Sequence, residues 1–249
     1  MNHIFHKAVS AYLQRTGYKR LAPAAALIDM DGTLYDSMPR HARAWMAMCA
    51  ENHLQCSEEE IFMSEGMTGA ATIDRLFLRC RGRHATEQEK KELYARKSEF
   101  FAAQPAAPLM PGALEMVDIF RSHGINTVLV TGSGQLSLLE KVNSDFNGAF
   151  PDSMRVTALD VSQGKPHPEP FLMGMSKASV CPWQAIAVEN APLGVQAAAA
   201  SGAFTIAVVT GPIKKQALAD AGADIVFNSM PECKQSLPDL LYSMNNHQN

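Results

Sequence analysis

Ala25-Ala26-Leu27-Ile28-Asp29-Met30-Asp31-Gly32-Thr33 is an apolar run that ends in two carboxylates one residue apart, followed by a glycine turn. A continuous apolar run fits a strand buried on both faces, as in a parallel sheet covered by helices on each side. Asp29 then falls at the carboxyl end of the strand, where open α/β sheets hold their ligands, and Asp31 falls just beyond it in the loop. The pair offers one carboxylate rigid enough to attack and a second free to move protons. Asp-Gly is also a common turn signal, so the same residues would suit a merely solvated turn. The rest of the chain separates the two readings.

From Pro111-Gly112 onward, helical patterns alternate with apolar runs at Asn126 to Val130, Met154 to Leu159, Ala185 to Glu189, Thr205 to Val209 and Asp224 to Phe227. Such alternation predicts a parallel sheet wound with helices. Gly124, Gly202 and Gly222 sit where left-handed helix caps are usual, and Pro192 sits at the first turn of an alanine-rich helix. Between residues 37 and 106 the strand signals vanish. Ala42, Trp45, Met46 and Cys49 form one helical stripe and Ile73, Leu76, Phe77 and Cys80 another; Ser57 to Glu60 and Thr86 to Glu89 have the form of capping boxes. This predicts a bundle of about four short helices. Its linkers, Leu34 to Ser37 and the proline- and alanine-rich Gln104 to Pro111, suit a cap that hinges over a site. The domain division expected is residues 1–36 with 107–249 as an α/β core, and 37–106 as a helical cap. Phe5, Val9, Tyr12 and Leu13 predict an amphipathic helix at the start of the chain. A transit peptide is disfavoured because that helix runs directly into the first strand.

The chain has 249 residues, 47% hydrophobic and 19% charged, with a net charge of −3. That composition gives no basic footprint for nucleic acid or an anionic membrane, and no apolar stretch reaches the roughly 20 residues of a membrane span. The expected partner is a small phosphorylated molecule, with no nucleic acid and no membrane. The chain is read as a monomer, although sequence leaves oligomeric state open. Five cysteines, Cys49, Cys56, Cys80, Cys181 and Cys233, with no CxxC pair, fit free thiols and a cytoplasmic location.

Three more polar signals fall at the same edge of the expected sheet as Asp29. Thr131-Gly132-Ser133-Gly134 offers a hydroxyl and backbone N–H groups to an oxyanion. Lys165, held between Gly164 and Pro166, is a compact charge suited to phosphate. Glu189-Asn190 ends another apolar run and offers oxygen ligands to a hard cation such as Mg²⁺. Read singly, these are a capped helix start, a solvated lysine and a helix N-terminal acid. Their order and spacing make them one constellation.

As an ordered set, DxDGT, Thr131, Lys165-Pro-x-Pro and an acidic strand end resemble a haloacid dehalogenase superfamily phosphohydrolase with a helical cap of the C1 type. The resemblance spans residues 22 to 235 and implies a Rossmann-like core. It implies Asp29 as the nucleophile that forms an aspartyl phosphate and Asp31 as general acid and base. It also implies Thr131 and Lys165 as phosphoryl holders, and Mg²⁺ on Asp29, the Asp31 carbonyl oxygen, Glu189 and Asn190. Within the superfamily, Asp36-Ser37 with His41 and Trp45, continuing into Glu65-Gly66-Met67-Thr68-Gly69, is similar to the β-phosphoglucomutase branch and to a pyrophosphatase branch. There a histidine gates the acid-base aspartate, a role that His41 would take; His41 equally suits the exposed side of its helix. Gly69 and Gly134 stand where the mutases carry an arginine and a lysine, which favours hydrolysis over phosphoryl shuttling.

Glu65 points the same way, since an acid turned toward a phosphate pocket needs a metal ion between the two, as in Mg²⁺-bound pyrophosphate. The expectation is a Mg²⁺-dependent phosphatase or pyrophosphatase. Its alternatives are a β-phosphoglucomutase acting on a hexose phosphate and a non-catalytic phospholigand-binding protein, the latter suggested by Asn190 where relatives carry aspartate.

Overall fold

The computed structural model describes residues 2–246. Six strands, β1 (Ala25–Ile28), β2 (Asn126–Val130), β3 (Arg155–Val156), β4 (Ala185–Glu189), β5 (Phe204–Val208) and β6 (Ile225–Phe227), form one sheet in the order β3-β2-β1-β4-β5-β6. Every pairing is parallel, with Ile28 of β1 in register with Leu129 on one side and Val188 on the other. Strand order reverses about β1, so the crevice beyond its carboxyl end is the switch point where such sheets bind ligands. Side chains alternate along β1 into two apolar layers. Ala26 and Ile28 join Tyr12, Phe120 and Leu240 from the helices Asn2–Thr16, Ala113–Ser122 and Met230–Asn245, while Leu27 joins Phe171 and Ala197 from Glu169–Lys177 and Pro192–Ala200. That is the wound α/β sheet expected from the alternation of helices and apolar runs.

One strand is much shorter than its apolar run suggests. β3 stops at Val156 rather than reaching Leu159, because Thr157 turns the chain: its N–H and its hydroxyl both donate to Asp160 Oδ2 at 2.8 Å. Leu159 is left 85% exposed. The first helix buries Phe5, Val9, Tyr12 and Leu13, and Tyr12 fastens it to the core by donating to the Gly202 carbonyl at 2.9 Å. No helix among the described residues is long and apolar enough to cross a membrane.

The helices Met38–Glu51, Glu58–Met63, Gly69–Arg81 and Glu87–Ala102 enclose a second apolar cluster that includes Trp45, Met48, Phe62, Phe77 and Leu93. Both capping boxes form, Ser57 with Glu60 and Thr86 with Glu89. The chain enters and leaves this bundle along two paired segments: the Met110 N–H donates to the Leu34 carbonyl at 2.8 Å and the Asp36 N–H to the Pro108 carbonyl at 3.0 Å. The bundle also meets the sheet edge backbone to backbone. A Cβ on Gly132 would stand 2.4 Å from the Gly66 carbonyl oxygen, so only glycine admits this approach.

Candidate active site

Asp29 follows β1 directly, and its N–H donates to the Val188 carbonyl at 3.1 Å, so the ladder with β4 extends to the carboxylate itself. The side chain is buried. Lys165 reaches it from the loop before the helix Glu169–Lys177. Its Nζ donates to Asp29 Oδ1 at 2.5 Å, to Glu189 Oε1 at 2.6 Å and to the Val130 carbonyl at 2.9 Å. Burial pushes the Asp29 carboxyl up to about 8, with Lys165 pulling against it and Glu189 and Asp31 adding to it. Burial also opposes the Lys165 charge, but Asp29 and Glu189 outweigh it and the lysine is held firmly protonated.

Asp31 is wired to the helical bundle instead. Its Oδ1 accepts from Ser37 Oγ at 2.6 Å and lies 2.9 Å from His41 Nε2, and His41 Nδ1 lies 2.7 Å from Lys97 Nζ. An ammonium has donors only, so Nδ1 accepts and the imidazole proton sits on Nε2, donated to Asp31. Burial resists the Asp31 charge, yet His41, Ser37 and Lys97 together hold its pKa at about 2. Burial and the neighbouring Lys97 both lower His41, in keeping with a neutral ring. Lys97 stands among Trp45, Tyr94 and Phe101, with Nζ 5.2 to 5.6 Å from the ring centroids. Burial pulls it down to about 7 against the attraction of Asp31. His41 therefore faces the aspartate and not solvent.

The loop after β2 differs from its expected form. Thr131 is buried at the end of β2, but the Ser133 N–H donates to Thr131 Oγ1 at 3.0 Å and the Gly134 N–H to the Tyr94 hydroxyl at 3.0 Å. Two of the expected backbone donors are thus already engaged within the protein. Glu65 comes down from the bundle and is buried, with Oε1 accepting from Asn190 Nδ2 at 2.7 Å. Burial raises its pKa well above the usual carboxylate range, and Asp29, Glu189 and Asp31 add to the effect. Asn190 Oδ1 accepts from the Thr33 hydroxyl at 3.1 Å. Among the described residues no three Asp, Glu, His or Cys side chains are grouped as a ready metal shell; Lys165 stands between Asp29 and Glu189. A cavity of about 60 Å³ lies between these groups, lined by Asp29, Asp31, Glu65, Lys97, Thr131 and Tyr94.

Every residue that the sequence singles out at the sheet edge thus meets at one place, together with His41 and Glu65 from the bundle. Sequence reasoning missed Lys97, Tyr94 and Thr33. Lys97 had a signal: Leu93, Lys97 and Phe101 recur every four residues, which sets a lysine in an apolar stripe.

Comparison with known proteins bears on the same region. Hexitol phosphatase A of Escherichia coli K12 is 30% identical over 183 residues, covering 73% of this chain and 81% of that protein. Validoxylamine A 7'-phosphate phosphatase of Streptomyces hygroscopicus subsp. limoneus is 28% identical, covering 84% of this chain and 95% of that protein. Among solved structures, a Bacteroides vulgatus protein provisionally named a beta-phosphoglucomutase superposes with a TM-score of 0.95 at 44% identity, covering 99% of this chain and all of that one. The family model described as haloacid dehalogenase-like hydrolase matches residues 23–202, the stretch that carries Asp29, Asp31, Thr131, Lys165 and Glu189. The chain belongs to the haloacid dehalogenase-like hydrolase family.

Proposed function

We propose that this protein hydrolyses compact phosphorylated metabolites or inorganic pyrophosphate through an aspartyl-phosphate intermediate. One observation carries the reading: two carboxylates with one residue between them have opposite surroundings, Asp29 fixed against Lys165 and Asp31 fixed against His41, which Lys97 backs. Such a division of environment is how one site assigns separate roles to paired acids.

Ionised Asp29 attacks phosphorus through the carboxylate oxygen that Lys165 leaves open, and the leaving oxygen departs with a proton taken from solvent and delivered through Asp31, which rests ionised. Water then attacks the phosphoenzyme, and Asp31 takes its proton. That proton returns to solvent, so the proton used in the first half-reaction is regained in the second. With a pKa near 2, Asp31 is ready as the base of the second step. Lys165 and Thr131 hold the transferring phosphoryl, which needs positioning and charge neutralisation more than covalent help. His41 and Lys97 are positioning residues that fix the Asp31 carboxylate. Residues 37–106 act as the cap, with the paired segments at Tyr35 and Leu109 as the hinge.

The donor set fits Mg²⁺. Asp29, Asp31, Glu65 and Glu189 are four buried carboxylates against two buried lysines, and hard oxygen donors are what this cation takes. Asp29, the Asp31 carbonyl oxygen, Glu189 and Asn190 would hold it. When bound, it supplies positive charge to the phosphoryl oxygens.

Substrate size and charge favour the compact end of the range. With the bundle seated on the core, the space between these groups is about 60 Å³, room for a compact anion. A further carboxylate, Glu65, suits a polyanion that brings its own metal, as pyrophosphate does. Phosphate release should be followed with pyrophosphate, small phosphate esters and hexose phosphates in Mg²⁺, for the wild type and Glu65→Gln. The substitution should depress kcat/KM for pyrophosphate and spare simple esters. Equal losses on both would remove Glu65 from the site. Isomerisation of a hexose phosphate without free phosphate would replace hydrolysis by the mutase reaction, the reading favoured by the Bacteroides vulgatus neighbour.

A further inference from the structure

Gly69 and Gly134 lie far apart in sequence, one at the start of the helix Gly69–Arg81 and the other in the loop after β2, yet both face the same side chain. A Cβ on Gly69 would stand 2.1 Å from the Tyr94 ring, and a Cβ on Gly134 would stand 3.3 Å from the Tyr94 hydroxyl. Neither glycine has positive φ, so backbone conformation does not demand them. The ring of Tyr94 fills the volume that side chains at these two positions would otherwise use.

Tyr94 is well fixed there. Its ring packs on Trp45 with centroids 6.3 Å apart, the Lys97 ammonium stands 5.6 Å from its centroid, and its hydroxyl accepts from the Gly134 N–H at 3.0 Å. The helix that carries it is pinned to the same loop by Gln135 Nε2, which donates to Ser98 Oγ at 3.1 Å. With its tip bonded to the core and its body among bundle residues, the ring forms one wall of the cavity that holds Asp29 and Asp31.

We propose that Tyr94 is the specificity-determining residue of this site: its ring, admitted by Gly69, closes the cavity to phosphate esters whose leaving group is as large as a hexose. This rests on the phosphohydrolase reading above. A pocket wall acts on selectivity by exclusion, so its removal should help the excluded substrate more than the accepted one. A latch that merely held the bundle on the core would affect all substrates alike.

The test compares kcat/KM for inorganic pyrophosphate and glucose 6-phosphate in wild type, Tyr94→Phe, Tyr94→Leu and Tyr94→Ala, each in Mg²⁺ and each checked by thermal melting. Tyr94→Ala should move the ratio toward glucose 6-phosphate by about 10-fold or more, the scale set by a few methylene-sized groups in a pocket. Tyr94→Leu should give an intermediate ratio, and Tyr94→Phe, which keeps the ring and loses the hydroxyl, should keep the wild-type ratio. If the alanine variant fails to fold, the leucine variant carries the comparison. A common loss on both substrates in every variant, or a wild type that already favours glucose 6-phosphate, overturns the proposal. Absence of Asp29-dependent phosphate release from any substrate in the wild type would instead sink the phosphohydrolase reading itself.

Discussion

Two lysines buried to the same degree, Lys165 in the α/β core and Lys97 in the helical bundle, stand at the site under opposite electrostatics. Lys165 stands between two carboxylates at 2.5 and 2.6 Å, and they raise its pKa despite the cost of burial. Lys97 is set among three aromatic rings with an imidazole nitrogen as its hydrogen-bond partner, and burial pulls it down to about 7. The difference has a local cause: the two carboxylates that touch Lys165 hold its charge in place, and Lys97 has no such contact. Burial alone therefore brings the Lys97 proton into the range of neutral pH. The core lysine is accordingly suited to a permanent charge on the transferring phosphoryl, and the bundle lysine to a charge that answers to pH.

The largest effect should come from Asp29→Asn, which deprives the core lysine of one carboxylate and the reaction of its nucleophile. Turnover should fall to background, roughly 10³-fold or more below wild type, as measured by phosphate release. Turnover near the wild-type level would end the covalent mechanism. The comparison itself is broken or upheld by deleting each lysine in turn. Lys165→Met leaves Asp29 and Glu189 buried without their cation, and should cost about 3–5 kcal/mol in denaturant unfolding. Lys97→Met removes a poorly satisfied buried charge, so its stability should stay within about 1 kcal/mol of wild type while kcat falls about 10²-fold. Similar stability losses in the two variants would erase the distinction.

The smallest effect is a pH limb. Lys97 holds its proton below a pKa of about 7 and loses it above, whereupon its bond to His41 Nδ1 is no longer charge-assisted and Asp31 loses a nearby positive charge. The kcat/KM profile should therefore fall as pH rises through about 7. Lys97→Arg, whose guanidinium stays charged, should move that limb upward by about one unit or more. A limb that stays in place assigns the titration to another group.

Much of this architecture was readable from the amino-acid sequence alone. The uninterrupted apolar runs at Ala25 to Ile28 and Ala185 to Glu189 mark strands with no solvent face, and that property forces helices onto both sides of a parallel sheet. Capping boxes at Ser57 and Thr86 fix helix starts through contacts three residues apart. Asp29, Thr131 and Glu189 were visible because each polar residue stands at the end of an apolar run, and run ends are local facts. What local pattern could not supply was which groups meet. Leu159 belongs to an apolar run yet lies in solvent, because a turn closed by Asp160 ends β3 before it. The N–H groups of Ser133 and Gly134 read as open donors until Thr131 and Tyr94 are seen to accept from them. Lys97, 56 residues from His41, became part of the site only when two helices packed side by side. Tertiary structure alone decided these points, since a pKa, an occupied donor and a filled cavity depend on neighbours in space and not on neighbours in the chain.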